Sequence, residues 1–138
     1  MPRFSTTRPA TRTGAARLSI ALIGLLASAA ALAGPQDDKM MRLANFSGCL
    51  ICHHIDSGAK GPDGLPPIGP AWRDVAAKYR AEKGAADRLT QTVLKGSNPY
   101  ESHWKGQASG LAMPPNAVAI KEADAKELVR WILQLQAK

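Results

Sequence analysis

The sequence predicts an all-α domain, and three observations carry that expectation. Apolar side chains recur at helical spacing: Trp72, Val75, Ala76 and Tyr79, then Leu128, Trp131, Ile132 and Leu135, stand at i, i+3, i+4 and i+7. No stretch alternates with a period of two for long enough to make a strand. The segments between the stripes are rich in Gly, Pro, Ser and Asn, lack periodicity and read as loops. Four main helices joined by long loops, without an internal repeat, is the expected architecture.

Residues 1–33 read as a secretory signal peptide. Arg3, Arg8, Arg12 and Arg17 form a basic start with no acidic residue among them, Leu18 to Ala33 carries no charge, and Ala31-Leu32-Ala33 makes an A-x-A-like cleavage site before Gly34. The apolar run falls short of the roughly 20 residues that span a bilayer, so cleavage is favoured over a retained anchor. Membrane attachment is expected only if the segment stays on. The remaining domain, 34–138, has 14 basic and 11 acidic residues, a net charge of +3 in place of +7. No basic cluster is interleaved with aromatics, so nucleic-acid binding has little support and no nucleic-acid partner is expected. Its charges read as solvated surface and the rim of a docking face.

The first helix is expected from about Asp37 to Ser47, with Asp37 or Asp38 as N-cap, Met40, Leu43, Ala44 and Phe46 on the apolar face, and Gly48 closing it. Residues 56–69 hold four glycines and three prolines and form a loop. Pro70 suits the first turn of the second helix, whose stripe runs from Trp72 to Tyr79. The third helix spans Ala85 to Lys95, with Leu89 and Val93 four apart and Gly96 as its stop. After a loop over 97–119 the last helix runs from about Lys121 to Leu135.

Cys49-Leu50-Ile51-Cys52-His53 is a C-x-x-C-H run holding the only two cysteines in the chain. The spacing suits covalent attachment of one haem c, a thioether from each thiol, with the adjacent histidine carried beneath the iron as an axial ligand. Two other readings stay open at this point. A zinc site would need a second ligand pair, whereas His54 and His103 are scattered. A redox or structural disulfide suits an exported chain, but a thioredoxin-like context is missing.

If haem is bound, a second axial ligand is wanted, and the candidates are His54, His103, Met40, Met41 and Met113. His54 adjoins the first ligand and cannot reach the opposite face. Met40 and Met41 belong to a helix, where a core role is the default. His103 reads as an exposed loop histidine. Met113 precedes Pro114-Pro115 in a non-helical loop with no apolar stripe to join, and the prolines stiffen the backbone beside it. A His53/Met113 pair would favour reduced iron and leave no open position for oxygen chemistry.

The chain resembles the class I c-type cytochromes, most of all the small bacterial monohaem electron carriers. The resemblance covers essentially residues 37–136. It rests on Gly48-Cys49-Leu50-Ile51-Cys52-His53, on Gly69-Pro70-Ala71-Trp72-Arg73-Asp74-Val75-Ala76-Ala77-Lys78-Tyr79, on Lys95-Gly96, on Met113-Pro114-Pro115-Asn116-Ala117-Val118 and on Trp131. It implies the cytochrome c fold wrapped around one haem. Cys49 and Cys52 match the thioether cysteines, His53 the proximal ligand and Met113 the distal one. Pro70 matches the proline whose carbonyl accepts the imidazole N–H, Asn116 an asparagine that approaches the methionine sulfur, and Trp104 a tryptophan that donates to a haem propionate. Phe46 and Trp131 fall where the first and last helices pack. Two segments, between His53 and Pro70 and between Trp104 and Met113, are longer than in the relatives it resembles.

The resemblance implies a periplasmic, non-enzymatic electron carrier cycling Fe(II)/Fe(III), docking transiently with redox partners at the exposed haem edge. A dedicated cytochrome subunit of a periplasmic dehydrogenase or a terminal oxidase or reductase is the alternative. A sensor or peroxidase-like role would require a displaceable Met113.

Overall fold

The structure, a computed structural model, describes Met1 and residues 34–136. The chain divides into two units, residues 1–30 and residues 31–138. Apart from Met1, the expected signal peptide lies outside the described residues. The second unit holds four α-helices and, among the described residues, no strand: α1 (Pro35–Phe46), α2 (Trp72–Tyr79), α3 (Ala85–Lys95) and α4 (Glu122–Gln134), with short 3-10 turns at Cys49–Ile51, Pro62–Gly64 and Pro99–Glu101. The all-α expectation holds, and no helix described is long and apolar enough to cross a membrane.

Helix α1 begins two residues earlier than the acidic pair suggests. Gly34 is the N-cap, Pro35 takes the first helical position where its missing N–H costs nothing, and Asp37 reaches back to accept the Gly34 N–H at 3.3 Å. Asp37 is therefore the third helical residue and not the cap. Its other carboxylate oxygen accepts the Trp131 indole N–H at 2.7 Å, which ties α1 to α4. Pro70 likewise stands outside α2, whose N-cap is Ala71.

Helix α4 is the hub and packs on α1, α2 and α3. Met40, Ala44, Trp72, Ile120, Ala125, Leu128, Trp131 and Ile132 form the core, with the Trp131 ring edge-on to Trp72 at 5.8 Å. Trp72, Ala76 and Tyr79 of the α2 stripe and Leu128, Trp131 and Ile132 of the last are buried as expected, Val75 and Leu135 are half-buried, and Met40 is fully buried. Phe46 is a correction, being 87 % exposed. It lies six residues beyond Met40, about 240° around the helix at ~100° per residue, which turns it off the core face. Ser47, seven beyond, returns to that face and is buried.

Candidate functional site

The first turn of α2 supports the C-x-x-C-H segment. Helix-starting N–H groups need acceptors, and here the segment following the C-x-x-C motif supplies two near this end. Trp72 N–H donates to the His54 carbonyl at 2.8 Å and Arg73 N–H to the Ile55 carbonyl at 3.1 Å. Gly69 N–H donates to the Cys52 carbonyl at 2.8 Å. The motif is thus strapped to the start of α2. Gly48, at φ 73°, turns the chain out of α1 into the Cys49–Ile51 turn, and both Cys52 and His53 donate their N–H to the Cys49 carbonyl, at 3.3 and 3.1 Å. Cys49 and Cys52 are free, half-buried thiols on this turn. Burial pushes the Cys49 thiol up from its ordinary pKa.

The His53 imidazole is held on three sides. Nδ1 lies 2.8 Å from the Pro70 carbonyl. A carbonyl only accepts, so Nδ1 carries the proton and the lone pair is left on Nε2. The Trp72 ring tilts over the imidazole at 6.0 Å. Gly69 closes the third side, since a Cβ there would lie 2.8 Å from His53 Cε1. Burial holds the imidazole below its usual pKa, opposed by the Pro70 bond and assisted by His54. The ring is a neutral nitrogen donor at neutral pH.

The Met113 loop is anchored on the end of α3. Gly96 adopts φ 84°, ψ 174°, a region only glycine visits readily, and a Cβ there would stand 2.9 Å from the Met113 carbonyl oxygen. Ser97 N–H donates to that carbonyl at 2.9 Å, while Met113 N–H donates to Ser97 Oγ at 2.9 Å. Three residues on, Asn116 N–H donates to the Val93 carbonyl at 3.0 Å. The Asn116 side-chain amide is turned to the Pro114 carbonyl at 2.6 Å, which leaves one of its two N–H groups for another acceptor. Met113 itself is half-buried.

Trp104 and Pro70 line one cavity of about 280 Å³, together with Lys60, Asp74 and Gln107 from the lengthened loops and α2. Lys78 lies over the Trp104 ring at 4.8 Å and the Tyr79 ring meets it edge-on at 6.1 Å. His103 is exposed, as expected, yet it shares a 2.6 Å hydrogen bond with the Tyr79 hydroxyl. The two lengthened loops pair with each other: Ser109 and Gly110 N–H donate to the Pro67 and Ile68 carbonyls, both at 2.9 Å.

The residues present fit a covalent haem. Two unbridged thiols and an imidazole with a free Nε2 share one turn, and the apolar side chains of Ile51 and Ile68 stand exposed on and beside it. Trp104 lines the cavity beyond Pro70, and among the described residues its indole N–H has no hydrogen-bond partner. The zinc reading loses its footing, because no group of three or more His, Cys, Asp or Glu is arranged to hold a metal ion among the described residues. Sequence reasoning missed Ser97, Trp72 as a wall of the imidazole, and the contact of Gly69 with it. Gly69 and Trp72 stood in the segment that carries the resemblance, and Gly96 read as a helix stop, but none of these signals gave the contacts.

Comparison with known proteins points to one family. The family profile described as Cytochrome c matches residues 26–136. The chain is 43 % identical over 93 residues to cytochrome c-551 of Allochromatium vinosum, covering 67 % of this chain and 82 % of that one. It is 35 % identical over 114 residues to cytochrome c-551 of Pseudomonas aeruginosa, covering 82 % and 93 %. Among solved structures, wild-type cytochrome c552 of Nitrosomonas europaea superposes with a TM-score of 0.53 at 34 % identity, covering 70 % of this chain and 99 % of that one.

Proposed function

The chain belongs to the cytochrome c family, and from that premise we propose that it is a periplasmic carrier whose one haem is ligated by His53 and Met113. Membership brings with it one covalently bound haem c and electron transfer through it. When bound, that group supplies reversible one-electron chemistry at iron. The protein supplies attachment, orientation and electrostatics. Cys49 and Cys52 are the chain's only candidates for the thioethers.

The single observation that carries the ligand reading is the imidazole of His53. Its Nδ1–H is committed to Pro70 at 2.8 Å, and among the described residues its Nε2, one residue away from a free thiol, has no hydrogen-bond partner. Met113 completes the pair on the strength of its pinned loop. A site filled on both faces has no place for a substrate, which favours a carrier over a sensor or peroxidase. Docking is assigned to the edge beside Cys49 and Cys52, where Ile51 is 78 % exposed; a small transient interface suits such partners. Secretion through the 1–33 segment sets the compartment.

Two measurements test the reading. Mass spectrometry of the purified protein is expected to give a chain beginning at Gly34 carrying the added mass of one haem. The ferric protein is expected to show the weak band near the red end of the visible range that marks methionine ligation. Met113→Ala should abolish that band and raise the affinity for small added ligands. A high-spin ferric spectrum in the unaltered protein at neutral pH would rule out the His53/Met113 pair. Co-purification with a dehydrogenase or oxidase, in place of a free monomer, would replace the free carrier with a complex subunit.

A further inference from the structure

We propose that Ser97 is a positioning residue for Met113, and that its hydroxyl governs how firmly the thioether stays at the iron. The inference rests on Met113 being the distal ligand. A thioether is neutral and must compete with water and added bases, so its hold depends on how tightly the surrounding chain is fixed. At residue 113 that fixing consists of two bonds to one residue. Met113 N–H donates to Ser97 Oγ and Ser97 N–H donates to the Met113 carbonyl, both at 2.9 Å. Turning the Met113 backbone breaks both together.

The other anchors act at a distance from the ligand. Asn116 holds the loop to Val93 three residues later, and Gly110 holds it to Ile68 three residues earlier. Gly96 allows the close approach, since any Cβ there would push on the Met113 carbonyl. The Ser97 hydroxyl makes no other hydrogen bond among the described residues. Ser97 is exposed, so fold stability depends little on it. Deleting the hydroxyl leaves the Ser97 N–H bond in place and removes only the grip on the Met113 N–H. A single neutral hydrogen bond of this kind corresponds to roughly a twofold to tenfold change in a competing equilibrium.

The experiment uses the ferric haem-loaded protein and imidazole as the competing ligand, with the red-end band as readout. Ser97→Ala should keep the band in buffer but lose it at a roughly two- to tenfold lower imidazole concentration, and Ser97→Thr, which keeps a hydroxyl, should restore the original value. An unchanged imidazole midpoint in Ser97→Ala overturns the proposal, even if the unfolding midpoint falls, because that pattern marks a purely structural serine. A drop that threonine fails to restore overturns it too. Met113→Ala separates the two levels: if that variant keeps the band, the ligand assignment itself fails. In the unaltered protein the Met113 amide should be protected from hydrogen exchange, and exchange at the free-chain rate counts against the Ser97 grip independently of any variant.

Discussion

At Gly69 a Cβ would lie 2.8 Å from His53 Cε1, 2.9 Å from Nδ1 and 3.1 Å from the Cys52 carbonyl oxygen. None of these neighbours yields easily, because two belong to an imidazole fixed by Pro70 and one to the backbone. Gly69→Ala is therefore expected to shift the ring, lengthen the Nδ1–Pro70 bond and cost about 1–3 kcal/mol as overpacking. The check is a chemical unfolding midpoint together with the ferric spectrum. A variant with the original midpoint and an unaltered spectrum would show that the imidazole has room to spare. The sequence marks Gly69 as loop punctuation and as the start of a segment that carries the resemblance, but its pairing with a residue sixteen positions away leaves no trace in a local pattern. The attachment motif was legible for the opposite reason: its chemistry lies within five consecutive residues, and no other cysteine competes. Gly96 stands between these cases. Its stop to α3 was readable, whereas its contact with the Met113 carbonyl appears only in the fold.

Among the elements, α2, α3 and α4 were legible to within a residue or two because each presents an unbroken 3.6-residue stripe or a firm glycine stop. The seam between α1 and α4 was legible only in part: Met40, Ala44 and Trp131 stood on the expected apolar faces and are buried together, whereas the polar contacts beside them left no local pattern. Glu127 on α4 accepts from Lys39 Nζ at 2.6 and 2.8 Å and from Gln36 Nε2 at 3.3 Å, both on α1, beside the Asp37–Trp131 bond. These partners, Lys39 foremost, hold the Glu127 carboxyl below its ordinary pKa. A lowered folded-state pKa means that the unfolded chain takes up the proton first as pH falls. The contribution is thus complete above the ordinary carboxylate range and is lost as pH drops through the folded-state value. Glu127→Gln should narrow the gap in stability between neutral and acid pH, measured as thermal midpoints along a pH series. The difference from the unaltered protein should vanish in strong acid and shrink with added salt, because the pair is exposed. Equal differences at all pH values would assign the effect to packing.

The molecule as a whole is a small domain whose interior is modest without its cofactor. Among the large side chains of the described residues Met40 is the one buried to below 2 % exposure, and two of the eight residues in the core cluster are alanine. Long loops contribute little apolar burial, yet two of them meet. The segment preceding Pro70 and the segment preceding Met113 are joined through Pro67–Ser109 and Ile68–Gly110, so the supports of both proposed axial ligands lean on one another. Local patterns could announce each loop but not this pairing, which depends on the chain closing around a common centre. A bound haem adds a large apolar body at that centre, and burial of apolar area is the main favourable term in a domain this small. A chain prevented from acquiring haem, through Cys49→Ser with Cys52→Ser, should then lose far more than two thiols. Even ~3 kcal/mol, the worth of one or two large buried side chains, corresponds to a fall of roughly 12–24 °C in the thermal midpoint for a domain of this size. Circular dichroism melts of the two forms measure it directly. The expected haem-free chain melts broadly and early and takes up a hydrophobic dye; a sharp transition at the temperature of the loaded protein would mean that α4 and its aromatic partners suffice to hold the fold.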